Sequence, residues 1–151
     1  MEIGAGSCYL VGLLRERMPK SRFYIVDLPS TIPFGFIHLS LLFPEARITL
    51  PDVASSVSDV AELDAEIIFL TPDQTDLLPS GSISIACNTD SFMEMMPSVV
   101  RRYFQLLRRV LMKDNIFYCS NRAEKRMYPA RGEDQRTMRY GNPNVIEEAV
   151  P

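Results

Sequence analysis

Two acids and two glycines near the start of the chain carry its clearest chemistry. Glu2-Ile3-Gly4-Ala5-Gly6 sets a carboxylate two residues ahead of a Gly-x-Gly turn, and Phe23-Tyr24-Ile25-Val26-Asp27 closes an apolar run on a second acid. Glycines let backbone approach a ligand, and a helix starting behind them offers free N–H groups. An acid about 20 residues downstream, at the end of the next strand, is placed to accept hydrogen bonds from ribose hydroxyls. The pattern predicts a βαβ unit that binds a nucleotide-like ligand through Gly4, Gly6 and Asp27. A dinucleotide site would carry G-x-G-x-x-G or A, but Tyr9 stands at the third position. Its bulk opposes close helix–strand packing and the approach of a pyrophosphate.

The elements that must position these residues follow from periodicity. Leu10, Leu13, Leu14 and Met18 predict a helix over 8–18, ended by Pro19. Arg22–Val26 reads as a strand. Ser30 is a candidate cap for a helix over 31–42, with Phe34, Ile37, Leu41 and Leu42 as its buried face and His38 packing among them. Arg47–Leu50 and Glu66–Leu70 read as strands, and Ser55–Leu63 as a short helix. Ile83–Cys87 is a further strand, followed by an amphipathic helix over 99–112 and a strand over 115–119. Arg101, Arg102, Arg108 and Arg109 flank the stripe of that helix as a solvated face. Strands alternating with helices imply a parallel sheet with helices on both faces, and ligands then sit at the carboxyl ends of the strands. Glu2–Gly6, Asp27, Pro72–Gln74, Asn88–Ser91 and Ser120–Arg122 all fall at such ends.

The chain of 151 residues fits one domain, with 46% hydrophobic and 23% charged residues. A net charge of −3 argues against a general nucleic-acid binder. No apolar run is long enough for a transmembrane helix, and no signal-peptide pattern opens the chain. Cys8, Cys87 and Cys119 show no C-x-x-C spacing and lie in apolar segments, so buried free thiols and a reducing cytoplasm are expected. A single histidine leaves little material for a Ser–His–Asp or His-rich metal mechanism. Residues 1–128 are expected to form the core, and 129–151 a polar, flexible segment.

The E-x-G-x-G opening is similar to the first motif of class I S-adenosylmethionine-dependent methyltransferases, with Cys8 in place of a third glycine. Asp27-Leu28-Pro29 resembles the D-L-P of many O-methyltransferases. Leu78-Pro79-Ser80-Gly81-Ser82-Ile83-Ser84 is similar to their L-P-x-G-S-F-D run, with Ser84 replacing the aspartate. Asn88-Thr89-Asp90-Ser91-Phe92-Met93-Glu94-Met95 resembles the N-x-x-S-F-x-E-M segment of bacterial sugar O-methyltransferases. Tyr103-Phe104 and Phe117-Tyr118-Cys119-Ser120-Asn121-Arg122 follow in the same order. The resemblance covers residues 1 to about 128. It implies a Rossmann-like α/β/α sandwich, S-adenosylmethionine as cofactor, and a sugar or other small-molecule hydroxyl as acceptor. It also implies a core incomplete at both ends, because only Met1 precedes Glu2 and the last strands of the family are missing.

On this resemblance Glu2, Gly4, Gly6, Asp27 and Leu28 line the cofactor. Asp73 or Gln74 is a candidate for the adenine edge, and Asn88 for the cofactor carboxylate; turn roles compete at each. Methyl transfer needs the acceptor oxygen about 3 Å from the methyl carbon, and a carboxylate can take its proton. Asp90 and Glu94 are the candidates, sharing one face if a helix begins there; the alternative is a cap and a first-turn acid. Asn121, Arg122 and Lys125 could grip a sugar or sugar phosphate. A non-catalytic remnant and a nicotinamide-dependent oxidoreductase are the other readings.

Overall fold

The computed structural model of the chain describes residues 1–122, 124–126 and 137–139. Six strands form one all-parallel sheet: β1 (Glu2–Ile3), β2 (Phe23–Val26), β3 (Ile48–Thr49), β4 (Ile67–Leu70), β5 (Ile83–Thr89) and β6 (Leu111–Ser120). Their order is β3-β4-β2-β1-β5-β6. The register sets Glu2 opposite Ile25 on one side and Cys87 on the other. Helices α1 (Tyr9–Arg17) and α2 (Ile32–Leu42) cover one face, and α3 (Pro51–Ala54) and α4 (Pro97–Val110) the other. The fold is thus a Rossmann-like three-layer α/β/α sandwich.

Strand alternation builds the two cores. Phe23, Ile25, Ile67 and Phe69 face α1 and α2, whereas Tyr24, Val26, Ile68 and Leu70 face α3 and α4. Every residue of β2 and β4 is buried, as strands covered on both faces require. Over α4, Tyr103, Leu106, Leu107 and Val110 supply the buried stripe.

Several expectations are corrected. α2 buries Ile32, Gly35 and Leu39, not the expected face; Phe34 is 64% exposed and Leu41 77%. The helix is apolar nearly all round, so its periodicity could not choose a side. Gly35 chose it: a Cβ there would lie 2.4 Å from Cys8 Sγ and 3.1 Å from the Gly6 carbonyl oxygen. Leu13 is likewise exposed on α1, which buries Val11 and Gly12. The α2 cap position is Thr31 rather than Ser30. Over 55–63 only Val60–Glu62 is helical, as a 3-10 turn capped by Asp59, whose carboxylate accepts the Ala61 N–H. Cys8 and Cys87 are buried, but Cys119 is exposed on β6.

Arg109 is no solvated residue either. Its guanidinium donates to the carbonyls of Leu78 and of Thr75, the latter at 2.7 Å, and fastens the end of α4 to the turn before β5. The Asp76 carboxylate, 3.9 Å away, is fully exposed and adds little. Arg109→Ala is expected to lower the stability by about 1–3 kcal/mol in urea unfolding. Arg109→Lys should recover only part, because an ammonium cannot span both carbonyls as a guanidinium fork does.

Glu124–Arg126, within the expected core, and Thr137–Arg139, in the segment read as polar, pair as an antiparallel two-stranded sheet, β7 and β8. The expectation of flexibility for 129–151 lies otherwise outside the described residues. Among the described residues no helix is long and apolar enough to cross a membrane.

Candidate functional site

The chain runs outward from β1 to β2 and on to the edge strand β3, inserts β4 between them, then crosses to place β5 on the other side of β1. The sheet therefore reverses its order at β1, the position where open parallel sheets leave a crevice at their carboxyl edge. The turn after β1 fills that position. Gly4, Gly6 and Cys8 have φ of 67°, 55° and 60°. Gly4 has no room for a side chain, because a Cβ would come 2.1 Å from Ser91 Oγ. Gly6 faces open space, with nothing within 4 Å of a Cβ. Both glycines are half-buried; the Cβ side of Gly4 is filled by Ser91, whereas that of Gly6 is open.

Asp27, at the end of β2, is 9% exposed and grips this turn. Its Oδ2 accepts the Gly6 N–H at 2.8 Å and its Oδ1 the Leu28 N–H at 2.7 Å. On the far side of the turn, His38 Nδ1 bonds to the Ser7 carbonyl, so Nδ1 carries the proton; the ring also packs 4.5 Å from that of Tyr9. His38 is thus a clamp rather than a packing residue. Burial, then the Glu2 and Asp27 carboxylates, push the Cys8 thiol up to about 12, which keeps it protonated.

Glu2 lies beneath the turn, not at its mouth. It is 4% exposed, Oε1 accepts the Thr89 hydroxyl at 3.4 Å, and Oε2 is buried with no partner at hydrogen-bond distance among the described residues. Desolvation raises its carboxyl to about 7 against the opposing Thr89 hydrogen bond and Met1 ammonium.

The ends of β4, β5 and β6 converge on the same edge, but their amides are committed to the fold. Asn88 is fully buried; its Nδ2 donates to Ile3 O at 2.9 Å and to Ser91 Oγ, while Oδ1 accepts from Phe92 N and Asn121 Nδ2. Asn121 also accepts the Met93 N–H and gives its second amide hydrogen to Cys119 Sγ. Gln74 accepts the N–H and hydroxyl of Thr71 and donates to Pro51 O and Ser55 Oγ. None of the three has an amide hydrogen left for a ligand. Asp73 is exposed, and the Thr71 side chain and its own backbone hold its carboxyl below the usual range.

Asp90 and Glu94 are both exposed, and no α-helix joins them. Phe92–Glu94 is a 3-10 turn and α4 starts only at Pro97. Phe92 packs on Tyr103 and Phe104 and draws the chain inward before the helix begins. Asp90 itself holds a φ of 57° and donates its N–H to Ser120 O at 2.8 Å.

A cleft of about 660 Å³ opens beside the Asp27 turn, lined by Leu28, Pro29, Asp73, Arg102, Tyr103 and Arg109 among others. Its volume suits a small-molecule ligand. Leu28 offers a 58% exposed apolar surface there. The Tyr103 phenol is pushed up by burial and then by the Asp27 carboxylate. Thr89 and Ser91 were read only as part of a strand end and its motif, without their contacts to Glu2 and Gly4, and Gly35 was not singled out, although a glycine inside a helix signals close approach. No family model, curated protein or solved structure matches the chain.

Proposed function

We propose that the chain is the cofactor-binding core of an S-adenosylmethionine-dependent O-methyltransferase that acts on a sugar or other small-molecule hydroxyl. One observation carries this reading: the Asp27 carboxylate is bonded to the open Gly6 turn at the point where the sheet reverses its order. Each Asp27 oxygen holds one backbone N–H and retains acceptor capacity for a ribose hydroxyl. The open side of Gly6 admits the amino-acid part of the cofactor, and Leu28 gives the adenine an apolar neighbour. The bound cofactor supplies the sulfonium methyl group. Asp90 is assigned the hydroxyl proton, because it follows β5 directly in a backbone conformation uncommon for a non-glycine residue. Glu94 is the weaker candidate.

A binding core without transfer is the second reading. It is favoured by the commitment of Gln74, Asn88 and Asn121 to internal hydrogen bonds, which leaves few polar groups for an acceptor.

Calorimetric titration with S-adenosylmethionine and with NAD separates the possibilities. Heat with the sulfonium alone is expected, and Asp27→Asn should weaken that binding at least about tenfold while unfolding stays cooperative. Heat with NAD alone would overturn the proposal. Binding without methyl transfer to any of a panel of sugars would select the second reading.

A further inference from the structure

Helices α2 and α4 lie on opposite faces of the sheet, and only α4 keeps the usual division between a buried and a solvated side. It turns Arg101, Arg102, Gln105 and Arg108 outward. α2 instead turns Phe34, Ile37 and Leu41 outward. Their i, i+3, i+7 spacing lines them up as one straight stripe along the helix. Leu42 borders the stripe toward α1, where its Cδ1 would lie 3.2 Å from a Cβ on Gly12. Tyr9 and Leu13, one turn apart on α1, continue the surface, and the Tyr9 ring meets that of His38 on α2.

These six apolar side chains are 48% to 77% exposed. At roughly 150–200 Å² for each, they leave about 600–700 Å² of apolar surface open. The largest such patch on an ordinary monomer covers about 300–600 Å². The stripe also lacks charge: α2 holds no acid, lysine or arginine, and His38 is its one titratable residue. Beyond Leu13, the exposed Glu16 and Arg17 stand side by side with opposite signs. An anionic membrane calls for basic residues around the apolar face, and a strongly charged protein calls for countercharges. A two-fold contact sets a surface against itself, so like charges would repel there, and a surface without charge fits it. Two such patches brought together cover about 1,200–1,400 Å², which reaches the lower part of the range for specific interfaces.

We propose that α2 is the centre of a two-fold dimer interface, in which Phe34, Ile37 and Leu41 pack against the same stripe of a second copy. Tyr9, Leu13 and Leu42 form its flank. A straight apolar seam suits two helices that cross at a small angle. The pairing does not depend on which ligand occupies the Gly6 turn.

Sedimentation equilibrium of the 151-residue chain is the test. At about 100 μM, a mass twice the 17.1 kDa of one copy is expected, since interfaces of this size hold at micromolar Kd or tighter. Ile37 lies midway along the stripe, so a two-fold axis there brings position 37 close to its own copy. Ile37→Glu and Ile37→Lys change an exposed side chain and leave the core intact. Each should unfold cooperatively and self-associate at least about a hundredfold more weakly than the native chain. Mixed in equal amounts, the two variants should form a dimer of one with the other, because opposite charges then meet. A native chain that stays monomeric would overturn the proposal, and recovery of that monomer on phosphatidylglycerol vesicles would assign the stripe to a membrane surface instead. Undiminished association in both variants would also count against it, because another surface would then be holding the copies together.

Discussion

Gly4→Ala is expected to remove about 2–5 kcal/mol of stability, a large part of what a domain of this size holds. Two independent costs combine. A φ of 67° costs an alanine about 1–2 kcal/mol. Its Cβ would also overlap Ser91, whose own Cβ would be 2.4 Å away, and that atom sits on backbone rather than at the end of a flexible chain. Forced packing of this kind costs about 1–3 kcal/mol. Urea unfolding of Gly4→Ala, Ser91→Gly and the double variant separates the two: Ser91→Gly should relieve the overlap and leave the backbone cost. Additive losses in the double variant would show that the overlap is not the cause. Gly6→Ala makes the contrast. It shares the backbone cost but has nothing within 4 Å, so it should fold at a loss of about 1–2 kcal/mol and show its larger defect in ligand binding.

The second large effect is a dependence on pH. Glu2 titrates at about 7 in the fold, against an ordinary value of 4.5, because burial disfavours its charged form. The folded protein therefore binds this proton more tightly than the unfolded chain does. Its contribution is fully present below about pH 4.5 and is lost as pH rises to about 7. The shift corresponds to about 3 kcal/mol. Glu2→Gln keeps the shape and removes the titration, so it should match the native chain near pH 4 and exceed its stability by about 3 kcal/mol at pH 8. The lowered Met1 amine acts in the opposite sense, since its stability contribution is lost as pH falls below its ordinary value of 8.0. The two groups attract each other only where both are charged, so the comparison rests on pH 4, where Glu2 is neutral, and pH 8, where the folded amine is mostly neutral. A constant difference from pH 4 to 8 would remove Glu2 from the role.

Periodicity made most of the fold legible. The apolar runs at 23–26, 67–70 and 83–87 lie within strands, and the amphipathic helix expected over 99–112 buries Tyr103, Leu106, Leu107 and Val110. The faces of α1 and α2 were not legible, because leucines all round a helix satisfy more than one face. Residue type and spacing brought Gly4, Gly6 and Asp27 to one turn. They could not tell which polar groups were free. Asn88, Gln74 and Asn121 sit at strand ends, where a ligand would be met, yet their amides bind backbone and one another. The condition that would set Asp90 and Glu94 on one helix face is not met, because Phe92 is drawn into an aromatic cluster before Pro97 starts α4. Such competition between a buried ring and a cap is a tertiary matter that local spacing does not report.

The Gly6–Ser7 segment is held from two directions, by the Asp27 carboxylate on the Gly6 N–H and by His38 on the Ser7 carbonyl. Such a turn has little motion left to lose when something docks on it, and no closing step has to precede contact. Capture at this turn should therefore be a single-exponential process whose rate rises linearly with ligand concentration, without a plateau set by a slower rearrangement.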